Sequence, residues 1–233
     1  MKPKTRGSAI WRWIKRVFLI LFLGQLLYII LLKWVNPPIT ITQLQSLVSG
    51  DGLKRDYVSA ASISPHLKLA VIASEDQVFA DHGGFDWKSI EKAMKNNKKR
   101  PQRIRGASTI SQQVAKNVFL WQGRDWLRKG LEVYFTKMIE WIWGKERILE
   151  VYVNVIEMGP GIFGAEAAAN AYFNKPAAKL TRRESALIAA VLPNPTKYKV
   201  KPPSPFVAAK SRWIMNQMNN LAGDEDIKAV MGK

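Results

Sequence analysis

Residues 17–32 form a run of sixteen amino acids without a charge, VFLILFLGQLLYIILL, near the N-terminus. As an α-helix with a rise of about 1.5 Å per residue, this run covers about 24 Å. Apolar residues and tryptophans on both sides extend it towards the roughly 30 Å hydrocarbon thickness of a bilayer, and tryptophan favours the membrane interface. A helix packed inside a soluble protein shows a polar face, which this run lacks. We therefore expect residues 15–35 to form a transmembrane anchor.

The charges beside this run predict its orientation. Six basic residues precede it and only Lys33 follows closely, so the positive-inside rule places the N-terminus, residues 1–14, in the cytoplasm and the rest of the chain outside it. A cleaved signal peptide is the competing interpretation. The length of the run, and the lack of a small-x-small cleavage site before Asn36-Pro37-Pro38, favour an uncleaved anchor.

The net charge and the lack of cysteine limit the molecules that this chain can bind and the chemistry that it can perform. The net charge is +18, and the first 33 residues supply seven of these charges, which leaves +11 on the remainder. This excess implies an anionic partner, which could be nucleic acid, phospholipid headgroups or a phosphorylated substrate. Nucleic acid is not expected outside the cytoplasm. The chain has no cysteine, which excludes disulfides, thiolate catalysis and cysteine zinc sites.

Helical patterns dominate the rest of the chain, and no segment alternates apolar and polar residues over a useful length. Ser64-Pro65 predicts the start of a helix that runs to Glu75, and Thr181 with Glu184 predicts a capping box. Further helices are expected over residues 87–97, 128–143, 145–154, 165–173 and 206–221, with a turn at 157–161. We interpret residues 36–63 as a linker or entry segment, 64–223 as the globular domain and 224–233 as an acidic C-terminal tail.

An acidic pair, Glu75 and Asp76, follows an apolar helical stretch at residues 67–73. A carboxylate at the end of such a helix lies at the rim of the core, where partial burial makes it usable as a proton acceptor or donor near neutral pH. The alternative is a solvated turn that carries two acidic residues, because isolated acidic pairs are common.

A second polar pattern occupies residues 106–120. Ser108 is expected to cap a helix in which Gln112, Gln113 and Lys116 share one face. Two amides and an ammonium on one face suit the hydroxyls of a sugar and the oxygens of a phosphate. An ordinary polar helix face is the alternative interpretation.

Three further stretches each allow two interpretations. The basic residues 95–105 form either a mobile solvated loop or a lid over an anionic substrate. Arg128 and Glu132, four residues apart, predict a structural ion pair unless they take part in binding. The aromatic-rich residues 119–143 form either core packing or a face that dips into the membrane.

Several motifs, taken together and in order, resemble those of the family 51 peptidoglycan glycosyltransferases. The resemblance runs from about Leu69 to Tyr198 and includes RRESALIAAVLPNPTKY. One anchor followed by one domain, without a Ser-x-x-Lys motif joined to a transpeptidase domain, predicts a monofunctional member from Gram-negative bacteria. The other motifs that carry the resemblance are EDQVFADHGGFDW, RGASTISQQVAKNVFLW, RKGLE and KERILEVYVNVIEMGPGIFGAEAAANAYF.

The resemblance implies a mostly α-helical, lysozyme-like fold with a larger lobe and a small membrane-facing lobe around a cleft. It implies that the 4-hydroxyl of a lipid II N-acetylglucosamine attacks C1 of the lipid-linked chain with inversion and releases undecaprenyl diphosphate. Glu75 resembles the general base and Glu132 the second essential carboxylate. The residues that resemble the diphosphate-binding set are Lys116, Arg124, Arg128 and Lys129. The residues that resemble the cleft lining are Asp76, Phe79, His82, Ser108, Gln112, Gln113 and Asn117.

Two roles remain open for Glu132 under this resemblance. It could orient the basic residues, or it could share a divalent cation, Mg²⁺ or Mn²⁺, with the diphosphate. No organic cofactor is expected. For His82 we expect a hydrogen bond that stabilises its loop rather than a chemical role.

The same resemblance implies partners and a location. The expected partners are lipid II, the lipid-linked glycan chain, the membrane and proteins of cell-wall synthesis or division, with no nucleic acid. The expected location is the inner (cytoplasmic) membrane, with the catalytic domain in the periplasm. The alternatives are a lysozyme-like glycoside hydrolase and a non-enzymatic basic membrane scaffold. The basic cluster and the anchor argue against the hydrolase, because cleavage of a neutral glycosidic bond needs neither.

Overall fold

The computed structural model describes residues 6–102, 106–123 and 125–232 of the chain. These residues divide into two compact units, residues 1–36 and residues 37–233. Arg124 and part of the basic loop, residues 103–105, lie outside the described residues, so the expectations placed on them remain predictions.

The first unit is one long helix, α1 (Arg6–Leu31), of 26 residues, which is about 39 Å at the usual helical rise. Its segment Ile10–Leu31 has a mean hydropathy of 2.1, and its large apolar side chains are mostly exposed. Near its two ends, the Lys15 ammonium lies 5.2 Å from the centre of the Trp11 ring and the Lys33 ammonium lies 5.7 Å from that of Trp34. The helix therefore fits a single-pass membrane anchor.

The second unit is built from short helices, and the prediction of a mostly helical fold is confirmed. A central helix, α3, is buried along residues 67–73 and packs against α7, α9 and α10, while α5 packs against α6 and α7. The helices are α2 (Ile41–Val48), α3 (Pro65–Glu75), α4 (Trp87–Lys99), α5 (Ile110–Phe119), α6 (Trp126–Ile142), α7 (Lys145–Val155), α8 (Ala165–Phe173), α9 (Arg182–Val191), α10 (Pro205–Leu221) and α11 (Glu225–Val230).

The helix starts follow from local capping. Ser64 caps α3 with its hydroxyl and Pro65 takes the first helical position, where the missing N–H costs no hydrogen bond. Thr181 and Glu184 form the predicted capping box at the start of α9. These short-range signals made the two helices predictable.

The segment 36–63 is more ordered than a linker. It contains α2, which begins with a capping box between Thr40 and Gln43 and packs against α5. Gln43 and Ser46 of this helix are buried. The segment expected to be a linker or entry segment thus contains a packed helix, and the Thr-x-x-Gln spacing was a visible signal for its start.

The structure also contains a small β-sheet that was not predicted from the sequence. Its strands are β1 (Lys54–Arg55), β2 (Glu157–Gly159) and β3 (Ile162–Phe163), in the order β1-β3-β2, with β1 parallel and β2 antiparallel to β3. Strands of two or three residues are too short to show a period of two in the sequence. The expected turn at 157–161 contains β2 and the bend of the β2–β3 hairpin. Gly161 has φ +67, and a Cβ there would lie 2.2 Å from the Asp51 carbonyl oxygen, so only glycine fits this close approach.

The C-terminal residues pack onto the domain instead of forming a free acidic tail. Helix α11 buries Ile227, and Met231 follows it into the core. The buried Lys68 ammonium donates a hydrogen bond to the Met231 carbonyl oxygen at 2.8 Å. Asp224 caps the helix through the amides of residues 226 and 227, so the acidic cluster serves in part as a helix start.

Candidate active site

The second unit contains a cavity of about 860 Å³. Its walls come from α2, α3, α4, α5 and α10, and from the loops that follow α7 and α9. Glu75 and Lys116, on two different helices, both line it. The volume lies within the range of small-molecule sites, about 300–1,000 Å³.

Glu75 is the last residue of α3 and is half-buried at the cavity wall. Its carboxylate accepts a hydrogen bond from the Gln113 amide at 3.0 Å and another from the Ser74 hydroxyl at 3.1 Å. The Gln113 carbonyl oxygen in turn accepts a hydrogen bond from the Tyr152 hydroxyl at 3.2 Å. This chain of hydrogen bonds holds the Glu75 carboxylate in one orientation.

The Tyr152 hydroxyl always acts as a hydrogen-bond donor to Gln113. Its side chain is fully buried, and burial raises the pKa of Tyr152 well above its usual value, with the charges of Glu75 and Asp76 acting in the same direction. The hydroxyl therefore keeps its proton, and the Gln113 carboxamide is oriented with its NH₂ group towards Glu75.

Asp76 lines the cavity, as expected, and its carboxylate is also held by hydrogen bonds within the protein. Its carboxylate accepts hydrogen bonds from the His82 ring at 3.0 Å and from the Ile110 backbone amide at 3.0 Å. The other His82 ring nitrogen accepts from the Gly84 amide at 3.1 Å, which assigns the proton of the neutral ring to the nitrogen beside Asp76. Asp76 thus joins the end of α3 to the start of α5.

The cap of α5 differs from the prediction. Thr109, and not Ser108, is the N-cap, and it forms a capping box with Gln112. The Thr109 hydroxyl also contacts the Gly84 carbonyl oxygen at 2.7 Å. The box needs a partner three residues after the cap, and only Thr109 has that spacing to Gln112. Ser108 instead lines the cavity.

The polar residues of α5 are divided between two faces. Gln113, Lys116 and Asn117 line the cavity, and the Asn117 carboxamide oxygen accepts a hydrogen bond from the Thr42 hydroxyl at 3.1 Å. Gln112 is buried behind the wall, where its amide lies 3.5 Å from a Glu132 oxygen. Gln112 therefore does not line the cavity with Gln113 and Lys116, because its carboxamide points towards Glu132.

Phe79 and His82 also lie behind the cavity wall. Phe79 is fully buried, with its ring centre 6.3 Å from that of His82 and 4.4 Å from the Lys145 ammonium. Neither ring belongs to the residues that line the cavity. The expectation of a cleft-lining position is corrected for both, since an aromatic side chain at the rim of a core gains more by burial.

A charged cluster lies behind Lys116. The Glu132 carboxylate is 2.9 Å from the Arg128 guanidinium and 2.5 Å from the Lys129 ammonium. Glu132 and Arg128 are 3% and 8% exposed, respectively, so this ion pair is largely desolvated. These three residues do not line the cavity themselves, and they act on it through Lys116.

Lys116 places a positive charge at the cavity wall. Burial lowers the pKa of Lys116 below the usual value, against the opposing effect of Glu132 and with the support of Arg128 and Lys129. Within the described residues Lys116 makes no ion pair, in contrast to Arg128 and Lys129. A half-buried ammonium that forms no ion pair within the described residues and lies at a cavity wall favours an anionic ligand.

The residues around Glu132 do not fit a divalent cation held by the protein. Both Glu132 oxygens already face cations, and the described part of the chain holds no group of three His, Asp or Glu residues that could bind a metal. A Mg²⁺ or Mn²⁺ site usually needs more than one oxygen donor.

The contributors to the cavity that were not predicted include a lysine of α10 and a polar stripe on α2. Lys210 of α10 lines the cavity, and burial lowers the pKa of Lys210, while the negative charge of Glu75 opposes this effect. Helix α2 contributes a polar stripe made of Thr42, Gln45, Ser46 and Ser49. Their spacing of three and four residues was the available signal, whereas Lys210 had none within its own helix.

Comparison with known proteins identifies the family. The family model described as Transglycosylase matches residues 41–219. A protein of Shewanella oneidensis is 47% identical over 96% of this chain and 97% of its own length, and one of Aeromonas hydrophila is 50% identical over 88% and 89%, respectively. A protein of Shigella sonnei is 59% identical over 72% of this chain and 70% of its own length.

All three relatives are named biosynthetic peptidoglycan transglycosylase. The predicted enzyme class and the lysozyme-like helical fold are thereby confirmed, and neither a hydrolase nor a non-enzymatic scaffold is supported. The chain belongs to the transglycosylase family, the enzymes that polymerise the glycan strands of peptidoglycan.

Proposed function

We propose that this chain builds glycan strands from lipid II by transferring the lipid-linked growing chain onto the 4-hydroxyl of the acceptor N-acetylglucosamine. The observation that carries the proposal is the shared cavity of Glu75 and Lys116. One wall offers an oriented carboxylate, and the other offers a desolvated cation without an ion pair in the described chain. This pairing suits a displacement that needs a base at the nucleophile and positive charge at the leaving group.

In the proposed reaction, Glu75 accepts the proton of the acceptor 4-hydroxyl while that oxygen forms a bond to C1 of the donor sugar. The bond from C1 to the diphosphate oxygen breaks on the opposite face, so the configuration inverts and a β-1,4 linkage results. The leaving undecaprenyl diphosphate takes the electron pair of that bond. The Gln113 hydrogen bond keeps the proton-accepting carboxylate in place throughout.

The basic residues stabilise the leaving group in this scheme. Lys116 faces the cavity as a point charge, and the predicted contributions of Arg128, Lys129 and Arg124 would add to its field. Glu132 holds Arg128 and Lys129 at fixed positions, which supports an orienting role for this carboxylate. Fixed charges cost no reorganisation when the leaving group develops its charge.

We also propose a membrane-facing surface on the second unit. Trp126 and Trp141 of α6 are 91% and 83% exposed, while Trp143 is buried. Exposed tryptophan favours a lipid interface, so the aromatic-rich stretch combines core packing with a surface suited to lipid. Core packing therefore describes Trp143, and a membrane-facing surface is proposed for Trp126 and Trp141.

For the whole chain we propose a cytoplasmic N-terminus and a periplasmic domain at the inner membrane, with proteins of cell-wall synthesis or division as partners. The proposal rests on the six basic residues that precede the uncharged run 17–32, whereas only Lys33 follows that run closely. A reporter that is active only in the periplasm, fused after Lys233, is expected to be active, and an inactive fusion would contradict this orientation.

Replacing the proposed base tests the function directly. We expect Glu75→Gln to lower the rate of lipid II polymerisation by about 100-fold or more, the usual contribution of a general base, while the protein stays folded and membrane-bound. Strand formation is followed by gel electrophoresis of labelled lipid II. Glu225→Gln is the matched control, because that carboxylate is 83% exposed and lies outside the cavity. Activity of Glu75→Gln close to that of the control would refute the proposal.

The hydrogen-bond chain behind Glu75 makes a separate prediction. Tyr152→Phe leaves the Gln113 carbonyl oxygen without its donor, so we expect the turnover rate to fall about three- to ten-fold, with a loss of unfolding free energy of about 1 kcal/mol. Tyr172→Phe is the control, because its hydroxyl donates to the Met158 carbonyl oxygen and not to Gln113. Equal turnover rates in the two variants would show that the hydrogen bonds from Tyr152 through Gln113 do not position Glu75.

The cationic wall can be tested without catalysis. We expect Lys116→Ala to weaken binding of inorganic pyrophosphate about ten-fold, because hydrogen bonds to charged groups contribute about 1.5–3 kcal/mol. Isothermal titration calorimetry measures the affinity. Lys95→Ala is the control, since that side chain is 70% exposed and pairs with Glu91. Unchanged affinity in Lys116→Ala would remove this lysine from the proposed diphosphate site.

A further inference from the structure

Two aromatic rings lie beside the cavity and have no part in the proposed reaction. The rings of Tyr198 and Phe206 stack with their centres 4.6 Å apart and their planes 25° apart. Phe206 is 50% exposed and Tyr198 is half-buried. We call this pair the aromatic rim. It offers a flat apolar surface to solvent.

The loop that carries Tyr198 runs directly from the cavity. Pro195 and Thr196 line the cavity, and a tight turn follows. The Tyr198 amide donates to the Asn194 carbonyl oxygen at 3.0 Å, and the Lys197 amide donates to the Asn194 side-chain oxygen at 3.1 Å. These bonds fix the turn, so Tyr198 is held close to the cavity wall.

The helix that carries Phe206 also contacts the cavity. Lys210 lines it and follows Phe206 by four residues in α10, so the two side chains share one helix face, one turn apart. Ser204 caps the helix and Pro205 occupies its first turn, which holds Phe206 on a rigid element. Two separate segments therefore lead from the reaction cavity to the aromatic rim.

We propose that the aromatic rim binds a sugar ring of the glycan strand outside the reaction cavity. The proposal rests on the function proposed above, since it assigns a place to the substrate or product of that reaction. The π face of an aromatic ring is electronegative, and the faces of a pyranose ring carry C–H groups with partial positive charge. A strand of many sugars cannot fit within about 860 Å³, so it must cross the edge of the cavity.

The charge around the rim agrees with such a ligand. Lys197 and Lys199, the sequence neighbours of Tyr198, are exposed, and the described residues offer neither of them a carboxylate within salt-bridge distance. Peptidoglycan strands carry peptide substituents that end in carboxylates. A flat ring for the sugar, flanked by cations for its anionic substituents, matches both parts of that polymer.

A lipid surface is the competing ligand class, because aromatic and basic residues also favour membrane interfaces. The observations favour the sugar. The exposed tryptophans of α6 project into solvent, with 91% and 83% of their surface free, whereas the rim is half covered and its rings stack on each other. The continuity with the cavity gives the rim a position along the path of the strand.

The test compares Phe206→Leu with Phe206→Tyr in the full-length protein. Leucine keeps an apolar side chain but loses the flat ring, and tyrosine keeps the ring. We expect Phe206→Leu to shorten the mean strand about five-fold, as expected for the loss of one aromatic contact worth about 1 kcal/mol. The rate of the first coupling between two lipid II molecules should stay within about two-fold of wild type, and Phe206→Tyr should make strands of wild-type length.

Direct binding gives a second readout. Soluble peptidoglycan fragments without lipid are titrated calorimetrically, and Phe206→Leu is expected to bind them about five-fold more weakly than Phe206→Tyr. Strands of wild-type length together with unchanged fragment affinity would overturn the proposal. Reduced sedimentation of Phe206→Leu with phosphatidylglycerol-containing vesicles, at unchanged fragment affinity, would assign the rim to lipid and also overturn it. A wild-type protein that makes no strands would refute the function instead of the rim.

Discussion

A single buried carboxylate joins the two helices that carry the proposed reacting groups. Asp76 ends α3 directly after Glu75, and it accepts a hydrogen bond from Ile110 at the start of α5, the helix that bears Lys116. The His82 ring forms a second hydrogen bond to the same carboxylate. Hydrogen bonds to an ionised group are about twice as strong as neutral ones. Together with the hydrogen bond from Gln113 to Glu75, this link fixes the end of α3 relative to α5.

The electrostatics of the cavity follow from this arrangement. Burial removes water from Lys116 and lowers its pKa, so the empty site keeps an ammonium at a cost. In the proposed function, an anionic ligand offsets that cost by replacing the lost water, which would favour a charged leaving group over a neutral sugar. Glu132 pairs with cations behind the wall, and it prevents their mutual repulsion from disrupting α6. Positive charge is thereby concentrated behind the cavity wall, with both Arg128 and Lys129 paired to Glu132.

Sequence reasoning succeeded where the determinants were local. Ser64-Pro65 marked the start of the central helix, and ordered motifs indicated the family before any coordinates. It failed where the outcome depended on how helices pack. The alternation between Gln112, which lies behind the wall, and Gln113, which faces the cavity, depends on the neighbours of α5. Lys210 reaches the cavity only because α10 packs on α3. Strands of two or three residues carry too few residues for a periodic signal.

The most direct test of the account is a crystal structure of the wild-type protein with an acceptor lipid II and a donor in which a methylene group replaces the oxygen between C1 and the diphosphate. The account predicts an acceptor 4-hydroxyl oxygen about 2.6–3.2 Å from the Glu75 carboxylate, the reach of a general base, with diphosphate oxygens against the Lys116 ammonium. A donor diphosphate bound away from Lys116, or an acceptor hydroxyl beyond hydrogen-bond reach of Glu75 with no bridging water, would contradict it.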